Sequence, residues 1–285
     1  MIDRCRICGS NAGGFLVEKK SNTFESTWVL CENCGSAHID PYPSQELLAK
    51  YYNSGYLEMG PSSAEQTTAV SHRVRFSDQY RAQVFSEYGY SMKDAGIPPE
   101  ELLESEANIL DFGCADGVFL EFLASKRIGN ERLYGLDIGE DMVAVAIQKG
   151  FNCTFRTEDL FRKKFGLITL WDVIEHVPYP RDVARQIREL SEAGGRVLLQ
   201  TPHFGELAVL MNSEFNHYLP VEHLHLFSRK ALIDLFQAEG FRCVAQSSFG
   251  ANAFEKHVAA THKSAYDKLA KKYDFGATQV LLFES

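Results

Sequence analysis

Cys5-Arg6-Ile7-Cys8-Gly9 and Cys31-Glu32-Asn33-Cys34-Gly35 form two C-x-x-C-G knuckles joined by the loop Gly9–Leu30. Two-residue spacing lets both thiolates of a pair reach one tetrahedral ion, and the following glycine can take the left-handed backbone that turns the knuckle. Cys5, Cys8, Cys31 and Cys34 are therefore candidate ligands of a zinc ion. Four thiolates close the coordination shell and leave no position for an activated water, so the ion is expected to be structural. Paired cysteines in a reducing cytosol point to metal rather than disulfides, while Cys114, Cys153 and Cys243 sit in apolar surroundings and read as small core residues.

A second constellation is Ile109-Leu110-Asp111-Phe112-Gly113-Cys114-Ala115-Asp116-Gly117, an apolar strand running into a small-residue loop before the helical Val118–Leu123. Gly113 and Gly117 let the backbone approach a ligand at a helix N-terminus, where unpaired N–H groups attract an anion. Ala115 holds the middle position, so the three-glycine dinucleotide pattern is not met and a nicotinamide cofactor loses ground. Asp137 ends the run Leu133–Asp137, and a carboxylate at the tip of the second strand can accept from both ribose hydroxyls. Loop and carboxylate together specify an adenosine-containing ligand; helix capping is the blander alternative for Asp137.

Three groups at predicted strand ends could take up a proton: His176, His203, and the cluster Pro220-Val221-Glu222-His223-Leu224-His225. A lone histidine is more often an ordinary polar residue than a base, and His203 reads that way.

Asp111–Gly117, Asp137, Glu158-Asp159-Leu160 and Leu170-Trp171-Asp172-Val173-Ile174-Glu175-His176-Val177-Pro178 stand in the order and spacing of the motifs of class I S-adenosylmethionine-dependent methyltransferases, which residues 105–245 resemble. The nearest likeness is to the group with ubiquinone-pathway O-methyltransferases and zinc-bearing sugar methyltransferases. The resemblance implies that the loop after Asp111, with Gly113, Cys114 and Gly117, holds the methionine part of S-adenosylmethionine. Asp137 would bind the ribose, Ile138 would lie against adenine, Asp159 would accept from the adenine amino group, and Leu160 would contact the ring. Trp171 and Asp172 would lie beside the sulfonium. Glu222 and His223 match the Glu-His pair that acts as base in zinc-bearing sugar C-methyltransferases, with Val221 where those enzymes have tyrosine.

His176 is the third catalytic candidate. Ubiquinone-pathway enzymes with a Glu-x-x-Glu-His counterpart hold a divalent ion there, and Asp172-x-x-Glu175-His176 would suit Mg²⁺, a reading not favoured because Glu175 also fits as a capping or orienting residue. The implied reaction is methyl transfer to the oxygen, nitrogen or carbon of a small acceptor, a sugar, nucleotide sugar or related metabolite. Two rivals are a zinc-ribbon RNA methyltransferase and a non-catalytic module that binds the cofactor.

These residues need elements to hold them. Asn108–Phe112, Arg132–Ile138, Asn152–Arg156, Gly166–Val173, Arg196–Gln200, Arg242–Ser247 and Thr278–Phe283 read as strands alternating with helical patterns. That alternation predicts an α/β fold, a Rossmann-like doubly wound sheet of about seven strands with the last pair antiparallel. Phe15–Val17 and Thr27–Leu30 are short β-prone runs that fit a small N-terminal zinc ribbon. Three parts are expected: the ribbon over residues 1–43, a helical linker or lid over 44–100, and the catalytic domain over 101–285. The polar stretch 60–71 reads as a loop or lid. Tyr51, Tyr52 and Tyr56 are expected to pack on the catalytic domain, and the Lys-rich segment 254–272 to be a solvated helix.

The formal net charge of −9 disfavours general affinity for nucleic acid, which comes mainly from Lys and Arg neutralising phosphates. No apolar run approaches the roughly 18 residues of a membrane span, and the N-terminus lacks a secretory core, so a cytoplasmic location with no membrane partner is expected.

Overall fold

The computed structural model describes residues 4–11, 13–20, 24–51, 78–250 and 260–285. Three strands open the chain: β1 (Phe15–Lys20), β2 (Glu25–Leu30) and β3 (Ala37–Asp40). Two helices follow, α1 (Gln45–Lys50), whose N-cap Ser44 accepts from the Leu47 N–H at 3.1 Å, and α2 (Asp78–Asp94). The large sheet and its helices are then laid down in alternation: β4 (Ile109–Phe112), α3 (Val118–Ser125), β5 (Leu133–Leu136), α4 (Glu140–Gln148), β6 (Asn152–Thr154), β7 (Phe165–Trp171), α5 (Pro180–Leu190) and β8 (Ser191–Pro202). The rest of the chain supplies α6 (Glu206–Met211), β9 (His225–Leu226), α7 (Arg229–Gln237), β10 (Arg242–Phe249), α8 (Ala260–Tyr273) and β11 (Thr278–Glu284).

Seven strands form one sheet in the order β10-β11-β8-β7-β4-β5-β6. The pairs β4–β5, β4–β7, β5–β6 and β7–β8 are parallel, while β11 runs antiparallel to both β8 and β10. The expected antiparallel last pair is present, with β11 inserted between β8 and β10 as the reversed strand. Parallel strands must be covered on both faces, which is why β4 reads Ile-Leu-Asp-Phe and is buried at every position. Strand order reverses between β4 and β7, so the loops after their carboxyl ends diverge and leave a crevice.

Helix positions follow from the sequence locally. Pro180 fits the first turn of α5, and Ala184, Ile187 and Leu190 recur on its buried face. Ser228 caps α7 by accepting from the Ala231 N–H at 3.1 Å, an interaction worth about 1 kcal/mol. Phe85 and Tyr88 of α2 pack edge-on against Phe122 and Phe119 of α3, so α2 shares a core with the helices of the large sheet. Tyr51 is buried, as expected of a packed residue. Tyr52, Tyr56 and the segment 60–71 lie outside the described residues. No described helix is long and apolar enough to cross a membrane.

The N-terminal strands do not form a sheet of their own. Their order is β1-β2-β3-β9, with His38 opposite His225 and Ala37 opposite Leu226. A two-residue strand from the middle of the chain thus completes the cysteine-bearing sheet.

Candidate functional site

A cleft of about 2480 Å³ opens at the carboxyl ends of β4, β5 and β7. Gly113 (φ +88°) makes the turn out of β4; a Cβ there would lie 2.4 Å from Val173 Cγ2, so the loop can pass under the β7 segment only without a side chain. Gly117, also left-handed, opens α3. Asp137 stands between the loop and α4: its Oδ2 accepts from the Ala115 N–H at 2.9 Å and its Oδ1 from the Gly139 N–H at 2.8 Å.

Asp111, Gly113, Cys114, Asp137, Ile138, Trp171 and Asp172 line this cleft. Cys114 is nearly fully buried. Asp111 is buried with Oδ1 accepting from Thr169 Oγ1 at 2.8 Å, and burial raises its carboxyl to about 7. Ile138 is 66% exposed at the cleft wall, an apolar side chain placed for a flat apolar group to cover. Gly117, Asp159 and Leu160 are not brought into the lining: a Cβ at Gly117 would meet Ala146 and Phe151, Asp159 is exposed and accepts from Thr154 Oγ1 at 2.6 Å, and the Leu160 side chain is buried in the core. Phe155 and Met142 also line the cleft and were not singled out in the sequence. For Phe155 the available signal was its position at the end of a predicted strand.

Ala115 takes φ +45°, a left-handed backbone that costs an L-residue roughly 1 kcal/mol or more. Ala115→Gly is expected to raise the unfolding free energy by about 0.5–1 kcal/mol in urea denaturation, with cofactor binding retained. A loss of stability would instead mean that the Ala115 methyl is needed for packing.

At the far end of the cleft lie Asp172, Glu175, His176, His217, Glu222 and His223. The imidazoles of His176 and His223 meet edge-to-face with centroids 4.9 Å apart, and His217 stacks on His223 at 5.9 Å. His176 Nδ1 lies 2.7 Å from the Glu222 carbonyl and His223 Nδ1 lies 2.8 Å from the His217 carbonyl. A carbonyl only accepts, so Nδ1 carries the proton in both rings and Nε2 keeps its lone pair. Burial lowers the pKa of both histidines, which keeps them neutral. Tyr51 Oη donates to Glu222 Oε2 at 3.1 Å, so the residue after α1 reaches into the site.

Glu175 is fully buried, with Oε2 accepting from Thr201 Oγ1 at 2.9 Å and no hydrogen-bond partner for Oε1 among the described residues; burial raises its pKa. Asp172 opens to solvent on the cleft side but is enclosed elsewhere, and desolvation raises its carboxyl to about 6 despite the Gln200 Nε2 contact at 3.2 Å. Glu175, His176 and His223 place ligand atoms within 4.8 Å of one another, and Asp172 is not part of that group. Two imidazoles and one carboxylate are a softer set than the oxygen shell Mg²⁺ prefers. His203 turns its Nδ1 to the Gly276 carbonyl at 3.0 Å, consistent with an ordinary buried histidine.

The four cysteine sulfurs also lie within 4.8 Å of one another, with Cys5 Sγ 3.9 Å from Cys34 Sγ and Cys8 Sγ 3.6 Å from Cys31 Sγ. Two thiolates of a tetrahedral zinc site with bonds near 2.3 Å are separated by about 3.8 Å. The donor set therefore fits zinc.

His225, fully buried, is within hydrogen-bond reach of Tyr42 Oη at 3.1 Å, and burial, with smaller contributions from His38 and Arg6, pushes its pKa down to about 3. The unfolded chain binds this proton near pH 6.5 and the folded chain only near 3, so the residue lowers stability progressively as pH falls between those values. His225→Gln is expected to remove about 1.4 kcal/mol per pH unit from the acid dependence of unfolding between pH 6 and 4. Identical slopes for the two proteins would contradict this assignment.

The family model described as "Methyltransferase domain" matches residues 80–246. Similar curated proteins include the ubiquinone biosynthesis O-methyltransferases of Proteus mirabilis, 29% identical over 103 residues (33% of this chain, 41% of that protein), and of Pseudomonas syringae pv. tomato, 31% identical over 103 residues (33% and 43%). The matched segment thus spans less than half of those relatives. Among solved structures, a SAM-dependent methyltransferase from Archaeoglobus fulgidus superposes with TM-score 0.52 at 17% identity, covering 75% of this chain and 100% of that one. Magnesium protoporphyrin IX methyltransferase from Synechocystis PCC 6803, solved with bound SAH, does so with TM-score 0.51 at 15% identity, covering 85% and 99%. The chain belongs to the methyltransferase-domain family.

Proposed function

We propose that the protein transfers the methyl group of S-adenosylmethionine to a hydroxyl of a small, oxygen-rich acceptor, with zinc holding its N-terminal module. The observation that carries this reading is a single cleft with an adenosine-suited wall at one end and neutral histidines at the other. The cofactor supplies an electrophilic methyl on a sulfonium. The Gly113–Gly117 backbone would receive its amino-acid part, Asp137 its ribose hydroxyls, and Ile138, with Phe155 and Met142 of the same cleft, its adenine face.

Methyl transfer is an in-line displacement, so most of the protein's contribution is alignment of the acceptor in a site that excludes water. A hydroxyl must also lose a proton. His176 and His223 each keep a basic Nε2, and Glu222, held by Tyr51, can steady the charge that develops on the base. Oxygen methylation is also what the relatives' names describe. A sugar or nucleotide sugar acceptor rests on the resemblance of the Glu222-His223 pair. The cysteines fit a structural zinc, since no ligand position is left for chemistry.

Isothermal titration with S-adenosylmethionine, S-adenosylhomocysteine and NAD tests the cofactor assignment. Micromolar binding of both sulfur compounds with none of NAD is expected; the reverse preference would overturn it.

A further inference from the structure

The cysteine module and the histidine pair lie in distant parts of the sequence but are joined by an unbroken set of hydrogen bonds. The Ile39 N–H of β3 donates to the Leu224 carbonyl at 3.1 Å. Leu224 and His225 in turn donate their N–H groups to the Glu175 carbonyl at 2.8 and 3.1 Å. One end of this set is the cysteine-bearing sheet; the other is the backbone between the two histidine segments.

Each knuckle also holds a residue flanking one of those segments. Beyond the second knuckle, Ser36 Oγ accepts from the Ser228 N–H at 2.9 Å, and Ser228 Oγ donates to the Cys34 carbonyl at 2.6 Å. Ser228 stands just after β9, the strand that follows the segment carrying Glu222 and His223. At the first knuckle, the Arg181 Nε–H donates to the Ile7 carbonyl at 2.8 Å. The Arg6 guanidinium lies between Tyr42, 3.6 Å from its ring centroid, and Tyr179 at 5.1 Å. Arg181 and Tyr179 follow the segment that carries Glu175 and His176.

Both histidine segments are otherwise short on regular structure. Residues 172–179 lie between β7 and α5, and residues 212–224 between α6 and β9, so their backbones depend on outside partners. A histidine pair serves as base only when each ring is held in one tautomer and orientation. The module's contacts beside those segments supply that restraint.

We infer that the four-cysteine module is the positioning frame of the His176–His223 pair, with Ser36 and Arg181 the positioning residues that couple each knuckle to the segment bearing one histidine. Neither residue lines the cleft, and neither touches the cofactor wall at Gly113–Gly117 and Asp137. The frame therefore governs the acceptor end of the site and leaves the cofactor end alone. This rests on the proposed role of the histidines, but its geometric content can be tested without a known acceptor.

The test is long-range proton–nitrogen correlation on full-length protein with ¹⁵N-labelled histidine, with titration by S-adenosylhomocysteine alongside. In the starting protein, His176 and His223 should give Nδ1–H signals protected from solvent exchange by the Glu222 and His217 carbonyls. In Ser36→Ala combined with Arg181→Leu, both signals should exchange at least tenfold faster or vanish, while S-adenosylhomocysteine affinity changes less than twofold. Chelation of the metal should give the same pattern.

Unchanged His176 and His223 signals in the double variant would overturn the proposal, whatever happens to the melting temperature. A variant that loses its cofactor affinity together with the signals would overturn it equally, because the effect would then be general unfolding. Failure to find zinc by elemental analysis would remove the metal reading but not the Ser36 and Arg181 result, so the two claims fail separately.

Discussion

Asp137→Ala is expected to weaken S-adenosylhomocysteine binding by about 100- to 4000-fold in isothermal titration. Two charge-assisted hydrogen bonds from ribose hydroxyls contribute about 3–5 kcal/mol together, and each 1.4 kcal/mol is a factor of ten in affinity. The substitution also frees the Ala115 and Gly139 N–H groups that the carboxylate now holds. That adds loop ordering to the loss, since the unrestrained Gly113–Gly117 turn must be organised by the ligand itself. Asp137→Asn keeps one carbonyl acceptor but loses the charge and should fall between. Affinity within threefold of the starting protein for the alanine variant would mean that the adenosine lies elsewhere in the cleft. Gly113, by contrast, cannot serve as a clean probe, because any side chain there collides with Val173.

Loss of the metal should have the largest effect on stability. Elemental analysis is expected to return about one zinc per chain, and Cys31→Ser should lose it. Structural zinc contributes apparent free energies of about 10–16 kcal/mol in isolated fingers at neutral pH, because the apo forms are unfolded. Here β3 is also held by β9, and the fully buried Trp28 packs against Tyr218 with centroids 5.3 Å apart, so part of the module's order survives without the ion. The expected outcome is a separate low-temperature transition for the module, at least 10 °C below that of the catalytic domain, in calorimetry. A single cooperative transition with no metal in the starting protein would remove zinc from the account and leave four buried thiols to be explained.

The cysteine spacing, the glycine loop and the carboxylate at the end of β5 were legible because each is local. A knuckle, a strand-to-helix turn and a strand tip are decided by a few consecutive residues, and their backbone requirements show directly as Cys, Gly and Asp at fixed offsets. Most strands of the large sheet were legible for the same reason, since buried parallel strands are short apolar runs. Asp159 and Leu160 show the limit of reading by position: they stand in the expected order, yet one side chain turns to Thr154 and the other into the core. A one-dimensional offset says which turn a residue occupies, not which way its side chain leaves it.

His217 was not recognisable as a partner of the site, because it lies in no periodic element and matters only through the His223 Nδ1 at its carbonyl. Tyr51, read in a helical pattern as a packing residue that could also close over the site, is both buried and hydrogen-bonded to Glu222.

By itself, then, the sequence determined the α/β class, the glycine turn with Gly113 and Gly117, the carboxylate Asp137 at the end of β5, and the four-cysteine cluster, all features whose physics is completed within a few residues or by strand alternation. Tertiary structure alone decided that β9 joins the cysteine-bearing sheet, that the His176 and His223 rings meet edge-to-face, and that the two knuckles hold residues flanking the segments that carry them. Those contacts each have at least one backbone partner or ring far away in sequence. Backbone groups are chemically alike at every residue, so no pattern of side chains announces which of them will meet.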